Sequence, residues 1–165
     1  MGRALCIKSV MESLLVMAFS PPNRIKRLHI DSKNPENNTG LAFQNTRLYR
    51  NAGYSVGTDV KVVGVGGVLV LASKQVDDGQ LLELMSILSA SDGGGMGESV
   101  TTRVRSSGDN GMEITVTRPA RSVGLLRNQK MQPRSFGRDS GLIILIPENV
   151  DTRPVEKAVS MVFDE

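Results

Sequence analysis

The sequence is poor in sulfur, imidazole and aromatic groups. Its 165 residues include one cysteine, one histidine and no tryptophan, beside four phenylalanines and two tyrosines. Cys6 has no second cysteine with which to form an internal disulfide, and with His29 alone it cannot complete a Cys/His zinc cluster. We therefore expect a cytoplasmic protein of a reducing compartment that holds no metal or organic cofactor.

The chain also lacks an apolar run of about 20 residues, the length that a membrane-spanning helix needs. Its most apolar N-terminal stretch, residues 10–19, is interrupted by Glu12 and followed by two prolines. A secretory signal over residues 1–20 is one interpretation of this stretch. The acidic residue and the prolines favour a retained segment instead, so we expect one domain over residues 1–165 and no membrane partner.

Aliphatic residues and glycine are plentiful. The chain is 39% hydrophobic and 22% charged, with eight methionines, which is ordinary for a soluble protein. Its 17 glycines make up roughly a tenth of the chain, against about 7% on average. This composition predicts an aliphatic core joined by many turns and long Gly/Arg-rich loops.

Residue periodicity predicts an α+β fold, built mainly on antiparallel strands with two or three short helices. The clearest hairpin joins residues 60–65 and 68–72 across a glycine turn. Apolar residues at positions i, i+3, i+4 and i+7 predict a helix over residues 80–90. Asp77 or Asp78 is its expected N-cap.

Other segments carry weaker signals. The apolar run at 142–146 predicts a central strand that is covered on both faces. Residues 99–105 and 112–117 alternate, which predicts a second hairpin. Residues 118–140 lack periodicity, so we expect a long mobile loop there and another near 91–98. We also expect a helix or long strand at 4–19, a strand at 24–30, a strand with helical turns at 41–54, and a helix or strand at 154–163.

Charge is strongly segregated along the chain, although the net charge is only +3. Residues 24–50 contain six basic and two acidic groups, and residues 103–138 contain eight and two. Residues 51–102 and 139–165 each contain six acidic and two basic groups. Basic blocks of this kind are typical of polyanion sites. The alternative is that each basic block pairs with an acidic block within the fold.

The second basic block favours phosphate as the ligand. Seven of its eight basic residues are arginines, and the planar guanidinium binds phosphate with two hydrogen bonds and stacks on bases. Arginine loops without a recognition helix predict single-stranded or nonspecific binding. The predicted contacts are Arg103, Arg105, Arg118, Arg121, Arg127, Lys130, Arg134 and Arg138, with Arg24, Lys26, Arg27, Arg47 and Arg50 from the first block.

Four aromatic residues are candidate stacking platforms for bases. Phe43, Tyr49 and Tyr54 lie beside the first basic block, and Phe136 lies within the second. Proteins that bind single strands stack bases on such rings, each worth roughly 1–3 kcal/mol. Core packing is the competing role, and we expect at least two of these rings to take it.

No catalytic constellation stands out in the sequence. Gly64 and Gly66 suggest a dinucleotide-binding loop, but Leu69 stands where the third glycine belongs, which favours a hairpin turn. Cys6 lies in an apolar stretch, which favours burial over nucleophilic chemistry. We therefore expect a protein that is not an enzyme.

Residues 47–72 resemble the SymE-like and AbrB-like swapped-hairpin proteins. The similarity lies in Leu48, the step Ala52-Gly53-Tyr54, Gly57, Val60, Val62 and residues 68–71. The resemblance implies a dimer or larger assembly that binds DNA or acts on RNA. By the same resemblance, Arg47 and Arg50 are candidate contacts.

These observations predict a non-enzymatic nucleic-acid-binding homo-oligomer that prefers DNA to RNA, such as a bacterial or bacteriophage transcription regulator. The acidic end after Phe163 is similar to the tails of single-strand-binding proteins, which recruit protein partners such as a polymerase. Two alternatives stay open. One is a structural or assembly oligomer whose charge blocks pair between subunits, and the other is a SymE-like RNA-acting toxin.

Overall fold

The computed structural model describes residues 24–27, 40–90, 95–108 and 110–164. The predictions that lie outside the described residues are those for segment 4–19, the signal interpretation of 1–20, the first part of the loop near 91–98, Cys6 and His29.

Short strands and helices alternate along the chain. The strands are β1 (Ile25–Arg27), β2 (Leu41–Gln44), β3 (Asp59–Val65), β4 (Val68–Ser73), β5 (Met96–Arg103), β6 (Arg105–Ser107), β7 (Gly111–Thr115), β8 (Met131–Ser135) and β9 (Leu142–Pro147). The helices are α1 (Thr46–Asn51), α2 (Asp78–Ala90), α3 (Thr117–Ser122) and α4 (Arg153–Phe163).

The strands form two antiparallel sheets, in the orders β1–β2–β7–β6 and β5–β3–β4–β9–β8. The chain passes from the larger sheet to the smaller one at Val104. The N–H of Val104 donates to the carbonyl of Thr58 at 3.0 Å, and its carbonyl accepts from the N–H of Gly57 at 2.9 Å. The predicted α+β fold, mainly antiparallel, is confirmed.

The five-stranded sheet is the middle of three layers. One face, with Leu69, Leu71 and Leu145, packs against the four-stranded sheet, α1 and α3. The opposite face, with Val70 and Ile144, packs against α2 and α4. Strand β9 is buried along its whole length and lies between β4 and β8, which confirms the prediction of a central strand at 142–146.

The hairpin of β3 and β4 closes through the two glycines predicted for its turn. Val65 pairs with Val68, and Gly66 and Gly67 between them have φ angles of +57° and +80°. Positive φ at both central positions defines a type I′ turn, whose twist matches that of the strands it joins. The glycines therefore serve the turn rather than a dinucleotide.

Helix α2 begins as predicted, at an aspartate cap. The carboxylate Oδ2 of Asp77 accepts the N–H of Gln80 at 3.0 Å, and the four apolar residues of the predicted stripe are buried. The segment predicted as a helix or strand at 154–163 is the helix α4, which begins with Pro154 in its first turn. Such a proline is favourable because its missing N–H would have no partner there.

The second predicted hairpin is correct in part. β6 and β7 pair around the turn at Gly108 and Asn110. β5, predicted to belong to the same hairpin, instead pairs with β3 in the larger sheet. The crossing at Val104 falls within an alternating stretch, so periodicity alone does not reveal it.

The predicted long loop over 118–140 is wrong, because this segment contains α3 and β8. Pro119, Ala120, Leu125 and Met131 are buried, and they fill the space between the two sheets. Their spacing follows no single period because helix, turn and strand succeed one another within about 15 residues. Tertiary packing therefore organises a segment that lacks a local signal.

Gly64 in β3 marks the close approach of α3, and it yields a stability prediction. A Cβ at this position would collide with the backbone carbonyl of Pro119. We therefore expect Gly64→Ala to lower the free energy of unfolding by about 1–3 kcal/mol, as overpacking does. Denaturant unfolding measures this change. Ser99→Ala, on the neighbouring exposed position of β5, is the control, and equal stabilities for the two variants would contradict the packing described.

Candidate nucleic-acid interface

Helix α3 ends in a motif that redirects the chain toward β1. The N–H of Gly124 donates to the carbonyl of Arg121 at 3.1 Å, and that of Leu125 donates to Ala120 at 2.9 Å. With Gly124 at a φ of +77°, these two bonds define a Schellman motif. Leu125 is buried, which anchors the end of the helix in the core.

The chain then follows the outer edge of β1. The N–H of Asn128 donates to the carbonyl of Ile25 at 2.8 Å, and the N–H of Ile25 donates to Gln129 at 3.0 Å. Arg24 and Lys130 form a further antiparallel bridge. Segment 127–130 therefore lies along β1 much as an additional strand would.

These contacts gather basic residues from both blocks of the sequence. β1 pairs with β2, and Leu41 at the start of β2 donates its N–H to the hydroxyl Oγ1 of Thr117. The start of α3 therefore lies across β2 from the end of β1, about two strand spacings or ~10 Å away. We call the resulting group the basic surface, and its members are Arg24, Arg118, Arg121, Arg127 and Lys130.

The segments that form the basic surface contain no acidic residue, since Asp and Glu are absent from residues 24–27 and from the whole stretch 114–138. Two acidic residues of other segments border it: Glu98 donates its N–H to the hydroxyl of Ser122 at 2.8 Å, and Glu148 contacts Lys130. Arg24, Arg118 and Arg127 are exposed. Within the described part of the chain, none of these three arginines forms an ion pair.

One ion pair touches the basic surface. Lys130 Nζ lies 3.9 Å from Glu148 Oε2, with both side chains about half exposed. Exposed pairs of this kind contribute only about 0.2–1 kcal/mol. Because this ion pair is weak, Lys130 can release Glu148 and bind an anion that interacts with it more strongly.

The helix layer on the far side of the molecule is acidic. Residues 74–90 and 148–164, which include α2 and α4, contain seven acidic and three basic groups. This layer covers the face of the five-stranded sheet opposite to α3, so the carboxylates of α2 and α4 lie across that sheet from the arginines of α3. An approaching polyanion is therefore attracted toward one side.

Two predicted contacts lie away from the basic surface, in ion pairs with acidic blocks. Arg103 Nε donates to Asp59 Oδ1 at 3.2 Å, and Arg134 Nε donates to Glu156 Oε1 at 3.1 Å. The Arg134 pair joins β8 to α4, on the helix side. For these two arginines the structure matches the alternative prediction, in which basic blocks pair with acidic blocks inside the fold.

Three further predicted contacts gather near α1, at the opposite end of β2. Arg47 and Arg50 are exposed on this helix, and Arg50 Nη2 donates to the carbonyl of Asn110 at 3.3 Å. Arg138 lies on a loop that is bonded to the end of α1, because the N–H of Asp139 donates to the carbonyl of Asn51 at 2.8 Å. Arg105 is exposed on the edge strand β6.

The structure corrects the stacking prediction for three of the four aromatic residues. Phe43 and Tyr49 have no exposed surface and Tyr54 is 3% exposed, so bases cannot reach these rings. Tyr49 and Tyr54 stack on each other, with ring centroids 5.9 Å apart. Phe136 is half-buried against the core of the helix layer. The rings beside the first basic block serve the core because this chain has few other large residues to fill it.

A shallow polar groove of about 270 Å³ lies at another end of the fold. Its lining residues are Gly53, Thr58, Asp59, Ser73, Lys74 and Gln75. Its one carboxylate, that of Asp59, is already paired with Arg103. Among the residues that the structure describes, no three Cys, His, Asp or Glu side chains gather as metal ligands, and no helix is long and apolar enough to span a membrane.

No protein-family model, curated protein or solved structure matches the chain. The residues that resemble the SymE-like and AbrB-like proteins form α1, β3 and β4, and β3 and β4 pair with β5 and β9 of the same chain. The family relationship therefore stays a prediction.

Sequence reasoning missed one residue of this region. Leu126 lies beside Arg127 and is 68% exposed, whereas its neighbour Leu125 is buried. The sequence shows only two adjacent leucines after a glycine. The Schellman motif decides which of them enters the core.

The burial of both tyrosines generates a prediction for alkaline pH. Tyr49 donates its hydroxyl to Phe43 O at 2.6 Å, and Tyr54 donates to Gly141 O at 2.8 Å. Burial raises the pKa of each phenol above its usual value of about 10. The two phenols therefore stabilise the fold fully at a pH below the pKa of tyrosine in the unfolded chain. This stabilisation is lost as the pH rises toward the pKa values of the two phenols in the folded protein.

We expect phenolate absorbance to appear only as the protein unfolds, with both tyrosines ionising in one cooperative step. Ultraviolet absorbance and circular dichroism, recorded across the same pH series, measure the two events. A phenolate signal at pH near 10 from a protein with intact circular dichroism would contradict the burial of these rings.

Proposed function

We propose that the protein binds DNA nonspecifically, through contacts between the basic surface and backbone phosphates. The observation that carries this proposal is that β1, α3 and segment 127–130 form one surface of five basic residues, and that these segments contain no acidic residue. Arginine dominates this surface, and its guanidinium suits phosphate geometry. The charges come from two distant blocks of the sequence, which the fold places side by side.

The shape of the basic surface supports backbone contacts rather than base readout. Its one helix, α3, has six residues, which is short for a helix that lies in a major groove and reads base edges. The burial of Phe43, Tyr49 and Tyr54 removes the rings on which single-strand binders stack bases. The binding energy therefore comes mainly from counterion release, which is insensitive to sequence.

Oligomerisation, a cytoplasmic location and a role as a bacterial or bacteriophage regulator belong to this proposal as its finer parts, and the preference for single strands stays a prediction that the comparison of single-stranded with duplex DNA below tests. Arginine stacking on unpaired bases is the interaction that favours single strands here, since it needs no aromatic platform. A regulator that coats DNA nonspecifically gains affinity when several copies bind side by side.

Replacing Arg24, Arg118 and Arg127 together with alanine tests the proposal. Each phosphate contact adds about 0.9 to the slope of log affinity against log salt on duplex DNA. We therefore expect the triple variant to bind more weakly and to lower that slope by about 2–3. Fluorescence anisotropy with labelled single-stranded DNA, duplex DNA and RNA of equal length, over a salt series, measures both quantities.

The matched control removes three charges outside the basic surface, through Lys61→Ala, Lys74→Ala and Lys157→Ala. This control has the same net charge as the arginine triple variant, so any general effect of charge is equal in both. We expect its slope to stay close to that of the unchanged protein. Equal slopes for the two triple variants, or no binding by the unchanged protein at low salt, would refute the proposal.

A second candidate function is a structural oligomer held by charge pairing between subunits. The observation that favours it is that the basic surface and the acidic helix layer belong to different faces of the molecule. The basic surface of one copy can therefore attract the acidic helix layer of a neighbouring copy. In that case high salt dissociates the oligomer when no nucleic acid is present. Light scattering over the same salt series distinguishes this candidate from DNA binding.

A further inference from the structure

An apolar side chain projects from the basic surface. Leu126 is 68% exposed, and Arg127 and the arginines of α3 are its neighbours along the chain. A single exposed leucine is common on protein surfaces. This one is unusual because it adjoins Arg127 in the surface that we propose binds DNA.

The backbone holds Leu126 rigidly at both ends. Before it, the Schellman motif fixes Leu125 in the core. After it, the N–H of Gln129 donates to the carbonyl of Leu126 at 3.1 Å, which closes a turn with Asn128 at a φ of +70°. Positive φ at this position is typical of a type II turn, where asparagine is one of the tolerated residues. Asn128 is also bonded to β1, so the turn cannot swing freely.

Resting on the proposed function, we propose that Leu126 inserts between base pairs of bound duplex DNA and bends it. Proteins that bend DNA insert an apolar side chain into a base step while cations hold the flanking phosphates. Leu126 supplies the apolar side chain, and Arg118, Arg127 and Arg24 supply the cations. The hydrogen-bonded turn orders the backbone of Leu126 before binding, which lowers the entropic cost of insertion.

An anionic membrane is the competing ligand for a leucine among arginines. Membrane binding grows with buried apolar area as well as charge. The turn offers one apolar side chain, since Leu125 is in the core. That small apolar area favours insertion at a single base step over partition into lipid.

The test uses a duplex of about 30 base pairs that carries a donor and an acceptor dye at its two ends. We expect the unchanged protein to raise energy transfer between the dyes. We expect Leu126→Ala to abolish this rise and to weaken binding by about three- to tenfold, with an unchanged salt slope. Leu126→Phe should retain bending. Leu82→Ala, which removes a leucine 62% exposed on α2, is the matched control and should behave as the unchanged protein.

The outcomes separate this inference from the proposed function. Binding without a change in energy transfer, or equal bending by the Leu126→Ala variant, overturns insertion while nonspecific binding stands. A failure of the unchanged protein to bind any nucleic acid overturns both. Capture by phosphatidylserine vesicles that depends on Leu126, without DNA bending, assigns this side chain to a membrane and overturns the inference.

Discussion

The pairing of β4 with β9 places a double row of aliphatic residues where water reaches neither face of the sheet. Leu69 pairs with Leu145, and Leu71 with Ile143, all with no exposed surface. Truncation of a buried leucine or isoleucine to alanine lowers the free energy of unfolding of a protein by about 2–5 kcal/mol. Both faces of the sheet must therefore be covered, one by a second sheet and the other by two helices. The two helices belong to the acidic stretches 74–90 and 148–164, whereas α3, on the other face, belongs to the acid-free stretch 114–138.

Two helix ends determine how the chain leaves this layered core, and one of them positions the basic surface. Gly53 and Gly124 end α1 and α3 with the same pair of hydrogen bonds, and in each case the next residue, Tyr54 or Leu125, enters the core. At α1, the hydroxyl of Tyr54 fastens the loop before β9. At α3, the buried Leu125 directs segment 127–130 along β1, which brings part of the second basic block beside part of the first. The basic surface is thus a consequence of where the core accepts side chains.

The sequence revealed the elements whose signals are local. The β3–β4 turn, the aspartate cap of α2 and the apolar run of β9 each depend on neighbouring residues, so periodicity and turn chemistry identified them. α3 and β8 were not predicted, because Pro119 and Met131 become core residues only through contacts with distant strands. The site prediction is limited for the same reason. An arginine in the sequence indicates phosphate binding, but it does not show which arginines lie close together in the fold. Arg134 and Arg103 face acidic partners, whereas Arg118 and Arg127 join Arg24. The exposure of Leu126 depends on a single backbone motif that no pattern in the sequence specifies.

Arginine-specific chemical footprinting shows which guanidinium groups contact DNA. Phenylglyoxal labelling of the whole protein, read by mass spectrometry with and without duplex DNA at low salt, reports the protection of each guanidinium. We expect Arg118 and Arg127 to lose reactivity on binding, whereas Arg153, which is exposed on the acidic helix layer, keeps its reactivity. Unchanged labelling of Arg118 and Arg127, or equal protection of Arg153, would contradict the assignment of the basic surface as the DNA-binding face.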